Sequence, residues 1–188
     1  REKFIGHLRA VLFRPEDLNM FIGEPALRRQ YLNNIFIQTS SDGLTTLQNY
    51  QTILKQRNAL LQEQAKISNP ELNAWNERLA QEGEKIQHAR EEFVKFLQSH
   101  LASPYTISYL ASKPLKTALE KSLKNDLRFG YTTVGPHRED LKIFYDGHDV
   151  AQAASRGPLR RLIFSFKNAE RDWIQLQTGA NPVLLFDA

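Results

Sequence analysis

The sequence contains no cysteine. That excludes disulfides, thiolate metal sites and thiol nucleophiles, and it is compatible with a reducing compartment. No apolar run exceeds about five residues, far short of the roughly 20 that a membrane helix needs. No secretory signal pattern is visible, and a cytoplasmic location with no membrane partner is expected. A glycine-rich phosphate cradle of the form G-x-x-x-x-G-K-[S/T] is missing too. So are the G-x-S-x-G elbow and the H-E-x-x-H metal pair. The five histidines, His7, His88, His100, His137 and His148, fall at no metal-ligand spacing. Hydrogen-bonded or solvated roles are expected for them.

What is present is ordinary soluble-protein material. The 188 residues are 41% hydrophobic and 24% charged, enough for one sizeable core or two small ones. The net charge of +4 permits nucleic-acid contact without demanding it. The chain begins at Arg1 and stops at Ala188, directly after an apolar strand pattern. It reads as an internal piece of a longer protein.

Hydrophobic periodicity divides the chain into elements. Residues 8–13, "LRAVLF", read as a strand, followed by a helix start at "RPEDL". Residues 25–38 read as an amphipathic helix. Two long helices are expected over about 44–66 and 70–101. In the first, Leu47, Tyr50, Leu54 and Leu61 fall on heptad positions, with Arg57 interrupting. In the second, Leu72, Trp75, Leu79, Ile86, Ala89, Phe93 and Phe96 do so. "ISNP" supplies Asn69 as N-cap and Pro70 at the first helical position. Narrow stripes and a tight link point to an antiparallel hairpin with arms of roughly 35 and 45 Å; a plain helix pair in a bundle is the other reading. A helix over 114–127 carries Lys113, Lys116, Lys121 and Lys124 around its polar side. "YTTV" and "LKIFYDGHDV" read as strands, the latter turning at Asp146-Gly147. A helix runs from Pro158 to about Gln177. "NPVLLF" reads as a parallel strand buried on both faces, with Asp187 at its carboxyl end.

Few residues are chemical candidates. "SRGPLRRL", residues 155–162, puts a hydroxyl and a glycine before a proline-started cationic helix. Free N–H groups and the positive dipole end suit a phosphate there, although an ordinary helix cap has the same composition. Asp187 is either a Mg²⁺ carboxylate or the start of a loop. Arg28-Arg29 and Arg160-Arg161 can meet phosphates or form salt bridges.

Six stretches carry a resemblance. They are "VLFRPEDL" (11–18), "GEPALRRQYLN" (23–33), "LQNYQTILKQRNALL" (47–61), "GYTTVGPHREDL" (130–141), "SRGPLRRL" (155–162) and "PVLLFDA" (182–188). Together they resemble the RecF family of bacterial recombination mediators, ATP-binding-cassette (ABC) ATPases related to SMC proteins. The resemblance implies a helix-rich α/β fold, part of an ABC-type ATPase head (lobe I) with a helical insertion lobe containing the hairpin (lobe II). Residues 1–13 and 129–188 would belong to lobe I and 14–128 to lobe II, with the hairpin at about 44–101. The Walker A portion is not in this sequence.

By the same resemblance, Ser155, Arg156 and Gly157 match the signature loop, which meets the γ-phosphate of ATP held by the other subunit of a dimer. Asp187 matches the Walker B aspartate that serves Mg²⁺ through its water shell. Lys113, Lys116, Lys121, Lys124 and Arg128 are the candidate DNA contacts. The implied parent binds ATP with Mg²⁺, dimerises with ATP, holds gapped duplex DNA near single-strand junctions and works with RecR and RecO in gap repair and replication restart. The chain alone is expected to hold neither ATP nor metal. Two positions depart from the family. Pro158 stands where Gln is common, and Ala188 stands where a second acid positions the attacking water. No catalytic residue is assigned, and whether the protein acts as an enzyme stays open. A non-catalytic helical-hairpin interaction module, with ATP chemistry lost, is the competing reading.

Overall fold

The computed structural model describes residues 8–63, 69–153 and 156–187. Its elements are β1 (Ala10–Phe13), a 3-10 turn (Pro15–Leu18), α1 (Asn19–Ile22), α2 (Pro25–Thr39), α3 (Gly43–Gln62), α4 (Asn69–His100), β2 (Tyr105–Leu110), α5 (Leu115–Phe129), β3 (Asp140–Tyr145), β4 (His148–Asp149), α6 (Val150–Ala153), α7 (Arg156–Thr178) and β5 (Val183–Phe186). The fold is helix-rich α/β. No helix among the described residues is long and apolar enough to cross a membrane. Two compact units emerge from the residue contacts. Unit 1 is Arg1–Gly43, Arg90–Leu110 and Asp140–Ala188; unit 2 is Leu44–Ala89 and Ala111–Glu139. The lobe boundaries read from the sequence follow a different division.

Unit 1 contains both sheets. β1 and β5 pair in parallel, with Ala10 opposite Val183 and Phe13 opposite Phe186. β2, β3 and β4 form an antiparallel sheet. The β3–β4 turn is at Asp146-Gly147, where both φ angles are positive (49° and 77°), as a tight hairpin turn requires. The core joins Tyr31, Leu32 and Ile35 of α2 to Phe93, Val94 and Leu97 of α4 and to Leu162, Phe166, Ala169 and Trp173 of α7.

Three readings are corrected here. β2 was not foreseen; "YTISYL" forms it against β3. "YTTV" is a loop, not a strand, because side chains take over its backbone bonding. Asn58 Oδ1 accepts from the Thr132 N–H at 2.8 Å and Asp126 Oδ1 from the Thr133 N–H at 2.9 Å. And β5 is exposed from Val183 to Phe186, since β1 is its one strand neighbour among the described residues.

Unit 2 is a helical hairpin closed by α5. Arg57 bonds Asn76, and a side chain at Gly83 would meet the Tyr50 ring at 3.1 Å. The pairs 57/76 and 50/83 run in opposite senses, so α3 and α4 are antiparallel. Along α4 the positions 72, 76, 79, 83, 86, 90, 93 and 97 are buried in two heptad stripes, and 80, 87 and 94 are buried as well. The stripe at 72, 79, 86 and 93 is the expected one. Its companion lies one residue on from the expected 75, 89 and 96, and carries Asn76, Gly83, Arg90 and Leu97. Arg57 does not interrupt the apolar stripe of α3; it is fully buried within it.

Candidate functional site

β1 and β5 end side by side, and the chain beyond each is where a parallel sheet presents ligand-binding groups. Past β5 the Asp187 N–H donates to the Phe13 carbonyl at 2.9 Å, and its side chain is exposed. Past β1, Arg14 opens the 3-10 turn. Its backbone N–H donates to Asp17 Oδ2 at 3.0 Å and its guanidinium reaches Asp17 Oδ1 at 3.3 Å. Pro15 at the first position of the turn sets φ for this tight geometry.

Asp17 in turn meets α7. Lys167 Nζ lies 3.3 Å from Asp17 Oδ2 and 3.4 Å from Glu170 Oε2, with the Tyr31 ring 5.8 Å away. Burial pushes the Glu170 carboxyl up to about 7; Lys167 pulls against this and Asp17 adds to it. Burial, then Glu170 and Asp17, pushes the Tyr31 hydroxyl well above its ordinary range. These groups line a cavity of about 400 Å³ within unit 1 that Leu12 also borders. The arrangement ties the end of β1 to α7 through buried charge. The sequence reading missed it. Its signal was there: Lys167 and Glu170 sit one helical turn apart beside the apolar stripe Leu159, Leu162, Phe166, Ala169, Trp173.

Of the signature residues, Ser155 lies outside the described residues. Arg156 and Gly157 open α7, which starts two residues before Pro158 instead of at it. Proline is tolerated there because first-turn N–H groups lack intrahelical partners. Ala188 also lies outside the described residues.

Magnesium takes about six oxygens in octahedral geometry. Asp187 contributes one carboxylate, and no group of three or more His, Cys, Asp or Glu among the described residues could hold a metal. The residues present do not make a complete metal site.

Arg28, considered above for phosphate contact, is engaged internally. Its Nε and Nη2 meet Asp140 Oδ1 and Oδ2 at 2.7 and 3.0 Å, and Nη1 donates to the Met20 and Gly23 carbonyls. Arg160 and Arg161 are exposed.

The candidate DNA contacts lie in unit 2. Lys113, Lys116, Lys121, Lys124 and Arg128 are all exposed. At about 100° per residue, Lys116, Lys121, Lys124 and Arg128 of α5 share an arc of roughly 140°. Lys116 is bonded to Glu77 at 3.0 Å, and that bond raises its pKa. The face is built because Leu115, Leu119, Ser122 and Asp126 occupy the buried side of α5.

The loop after α5 is wired into the hairpin. Arg57 donates through Nε to Asn76 Oδ1 and through Nη1 to Thr132 Oγ1, both at 2.7 Å, and its Nη2 pairs with Asp126 Oδ2 at 2.9 Å. Burial lowers the Arg57 pKa against the opposing pull of Asp126. The Tyr50 hydroxyl meets His137 Nδ1 at 2.8 Å. Gln87 donates to Glu139, which also accepts the Ser112 N–H at 2.9 Å.

No protein-family model matches the chain. It is 34% identical over 204 residues to the DNA replication and repair protein RecF of Streptococcus pneumoniae (strain ATCC 700669 / Spain 23F-1), covering 98% of this chain and 56% of that protein. RecF of strain 70585 gives the same figures. Two solved structures share the fold. The recombination mediator protein RecF-ATPrS in the RecFOR pathway matches with a TM-score of 0.90 at 30% identity, over 98% of this chain and 56% of that one. The corresponding RecF-ATP structure matches with a TM-score of 0.90 at 31% identity and the same coverage. The chain thus spans about half the length of the curated relatives it matches.

Proposed function

The chain belongs to the RecF family, and we propose that its parent protein is an ATP-switched recombination mediator acting on DNA. The observation that carries this reading is the match along 98% of the chain to the RecF-ATP and RecF-ATPrS structures of the RecFOR pathway. In this reading ATP, with Mg²⁺, draws two heads together. Each nucleotide lies between one head's phosphate cradle and the other head's Ser155-Arg156-Gly157. Asp187 would be one carboxylate of the Mg²⁺ site, acting through the metal's water shell, and the dimer holds gapped duplex DNA near single-strand junctions. RecR and RecO are its partners. Residues 1–13 and 129–188 are parts of the ATPase head, and 14–128 form the inserted helical lobe.

Lys113, Lys116, Lys121, Lys124 and Arg128 supply phosphate contacts, Lys116 on release from Glu77. The face should bind without sequence preference and weaken steeply with salt.

The test of the switch is Ser155→Arg in the full-length protein. The serine is not part of its own subunit's cradle, so ATP binding to the monomer should stay nearly intact. Dimerisation should be abolished, because the loop must approach the phosphate to hydrogen-bond distance, about 3 Å, and the larger side chain blocks that approach. Sedimentation with and without ATP reads the outcome. A mutant that dimerises with ATP as the wild type does would return "SRG" to the role of a plain helix cap.

Ala188 and Pro158, in place of an acid and a glutamine, favour a second reading: a hairpin interaction module without ATP chemistry. A full-length protein that binds no ATP would select it.

A further inference from the structure

We propose that Phe129 and Tyr131, flanked by Arg128 and Arg138, form a stacking site for the unpaired bases of a single-stranded nucleic acid. The inference rests on the DNA-binding reading above and deepens it.

It begins with what the segment 130–139 does elsewhere. Thr132 and Thr133 are bonded to Asn58 and Asp126. His137 bonds Tyr50 and the Thr132 carbonyl. Glu139 is buried with Gln87. Gly135 has φ +118°, and a side chain there would meet the Tyr50 hydroxyl at 2.7 Å. Tyr131 and Arg138 are the exposed members of the segment.

These two do not stand alone. Gly130 caps α5 at φ +72°, a left-handed turn that folds the chain back between its neighbours. The rings of Phe129 and Tyr131 therefore meet, with centroids 5.8 Å apart and planes inclined by 22°. The Arg128 guanidinium lies 5.5 Å from the Phe129 ring centre and that of Arg138 lies 4.9 Å from the Tyr131 ring centre. Phe129 and Tyr131 remain 52% and 39% exposed.

Two large aromatic side chains stacked at 22° in solvent, with a cation over each ring, match the chemistry of a base and its phosphates. Any base has a π-face, and the arginines answer either the ring or the backbone charge. The lysines of α5 continue the positive strip in the same unit. Duplex DNA keeps its bases stacked on each other, so the pair of rings selects unpaired ones.

The test uses the full-length protein and two probes, a labelled oligothymidine and a blunt duplex, each titrated over a range of salt. Tyr131→Ala and Tyr131→Leu should weaken oligothymidine binding about tenfold, the usual consequence of losing one base stack. Duplex binding should hold, and Tyr131→Trp should bind as wild type. The salt slope should not change, because no phosphate contact is lost, whereas Lys121→Gln with Lys124→Gln should lower it on both probes. Leucine retains the apolar bulk without a π-face, and thermal melting confirms that each variant folds. Undiminished oligothymidine binding by Tyr131→Ala, or an equal loss on the duplex, overturns the stacking site and leaves DNA binding standing. A wild-type protein that binds neither probe removes both.

Discussion

Asp126→Asn isolates the buried charge at the centre of unit 2. The change keeps the side-chain volume and removes the countercharge of Arg57, which lies 2.9 Å away with both side chains fully buried. At an effective dielectric of about 20 that separation corresponds to roughly 6 kcal/mol of attraction, and breaking a buried pair from one side typically costs roughly 3–5 kcal/mol. The lowered pKa of Arg57 points the same way, since burial already works against its charge and Asp126 is the main opposing influence. Adding Arg57→Met removes the orphaned cation. The double variant should then be less destabilised than the sum of the singles by about 1–3 kcal/mol. It should not return to wild type, because Asn76 loses its donor from Arg57. The two tryptophans provide the assay: Trp75 belongs to unit 2 and Trp173 to unit 1. In a Trp173→Phe background, urea unfolding followed by Trp75 fluorescence reads the unit concerned. A loss below about 1 kcal/mol, the worth of an exposed pair, would refute the reasoning, as would strict additivity of the two changes.

Two further outcomes concern pH and packing. Glu170 sits at about 7 in the folded protein against an ordinary 4.5, so the folded state favours its neutral form. Stability should therefore fall as pH rises from about 4.5 to about 7 and level off above, and Glu170→Gln should flatten that slope and gain most at pH 8, by up to about 3 kcal/mol at 1.36 kcal/mol per pH unit; a variant whose gain is equal at pH 5 and pH 8 would contradict this. Gly83→Ala improves helix propensity by about 1 kcal/mol, but its methyl would run into Leu115 and lie 3.1 Å from the Tyr50 ring. Overpacking should win, for a net loss of about 1–2 kcal/mol in the same Trp75 assay, and a stabilised variant would show that Leu115 yields.

The long helices were legible because their apolar residues repeat at the helical period, and one of the two stripes of α4 was placed correctly. The other was displaced by one residue for a physical reason. Its members at 76, 83 and 90 are Asn, Gly and Arg, which no hydrophobicity pattern marks as buried. Trp75 drew the stripe toward itself, yet it is only half-buried, with Arg78 set 5.0 Å from its ring centre. The cluster of Asp17, Lys167 and Glu170 was only half legible: Lys167 and Glu170 flank the apolar stripe of α7, but Asp17, which completes it, is far away in sequence. "YTTV" looked like a strand because Thr and Val favour one. What decided otherwise was Asn58 and Asp126, which occupy the backbone donors a strand would have offered. The exposed basic side of α5 was legible from lysine spacing. The ring pair was not, because Gly130 is what brings Phe129 and Tyr131 together.

The polar core of unit 2 resolves an ambiguity that its apolar residues leave open. Leu47, Leu54 and Leu61 on α3 and Leu72, Leu79 and Ile86 on α4 repeat every seven residues. Sliding one helix by a heptad would keep most of these facing apolar neighbours, so hydrophobic matching alone distinguishes the registers weakly. Arg57 distinguishes them strongly. In the observed register it finds Asn76 on α4, Asp126 on α5 and Thr132 in the loop. A slip of seven residues in one direction brings Gly83 opposite it, which offers no side-chain acceptor. The buried charge would then stand alone, at a cost on the order of that of breaking the pair, roughly 3–5 kcal/mol. Tyr50 adds a second constraint, since a Cβ at position 83 would lie 3.1 Å from its ring and its hydroxyl meets His137. The register of the hairpin thus fixes where segment 130–139 is clamped, and through Gly130 it fixes how Phe129 and Tyr131 are presented.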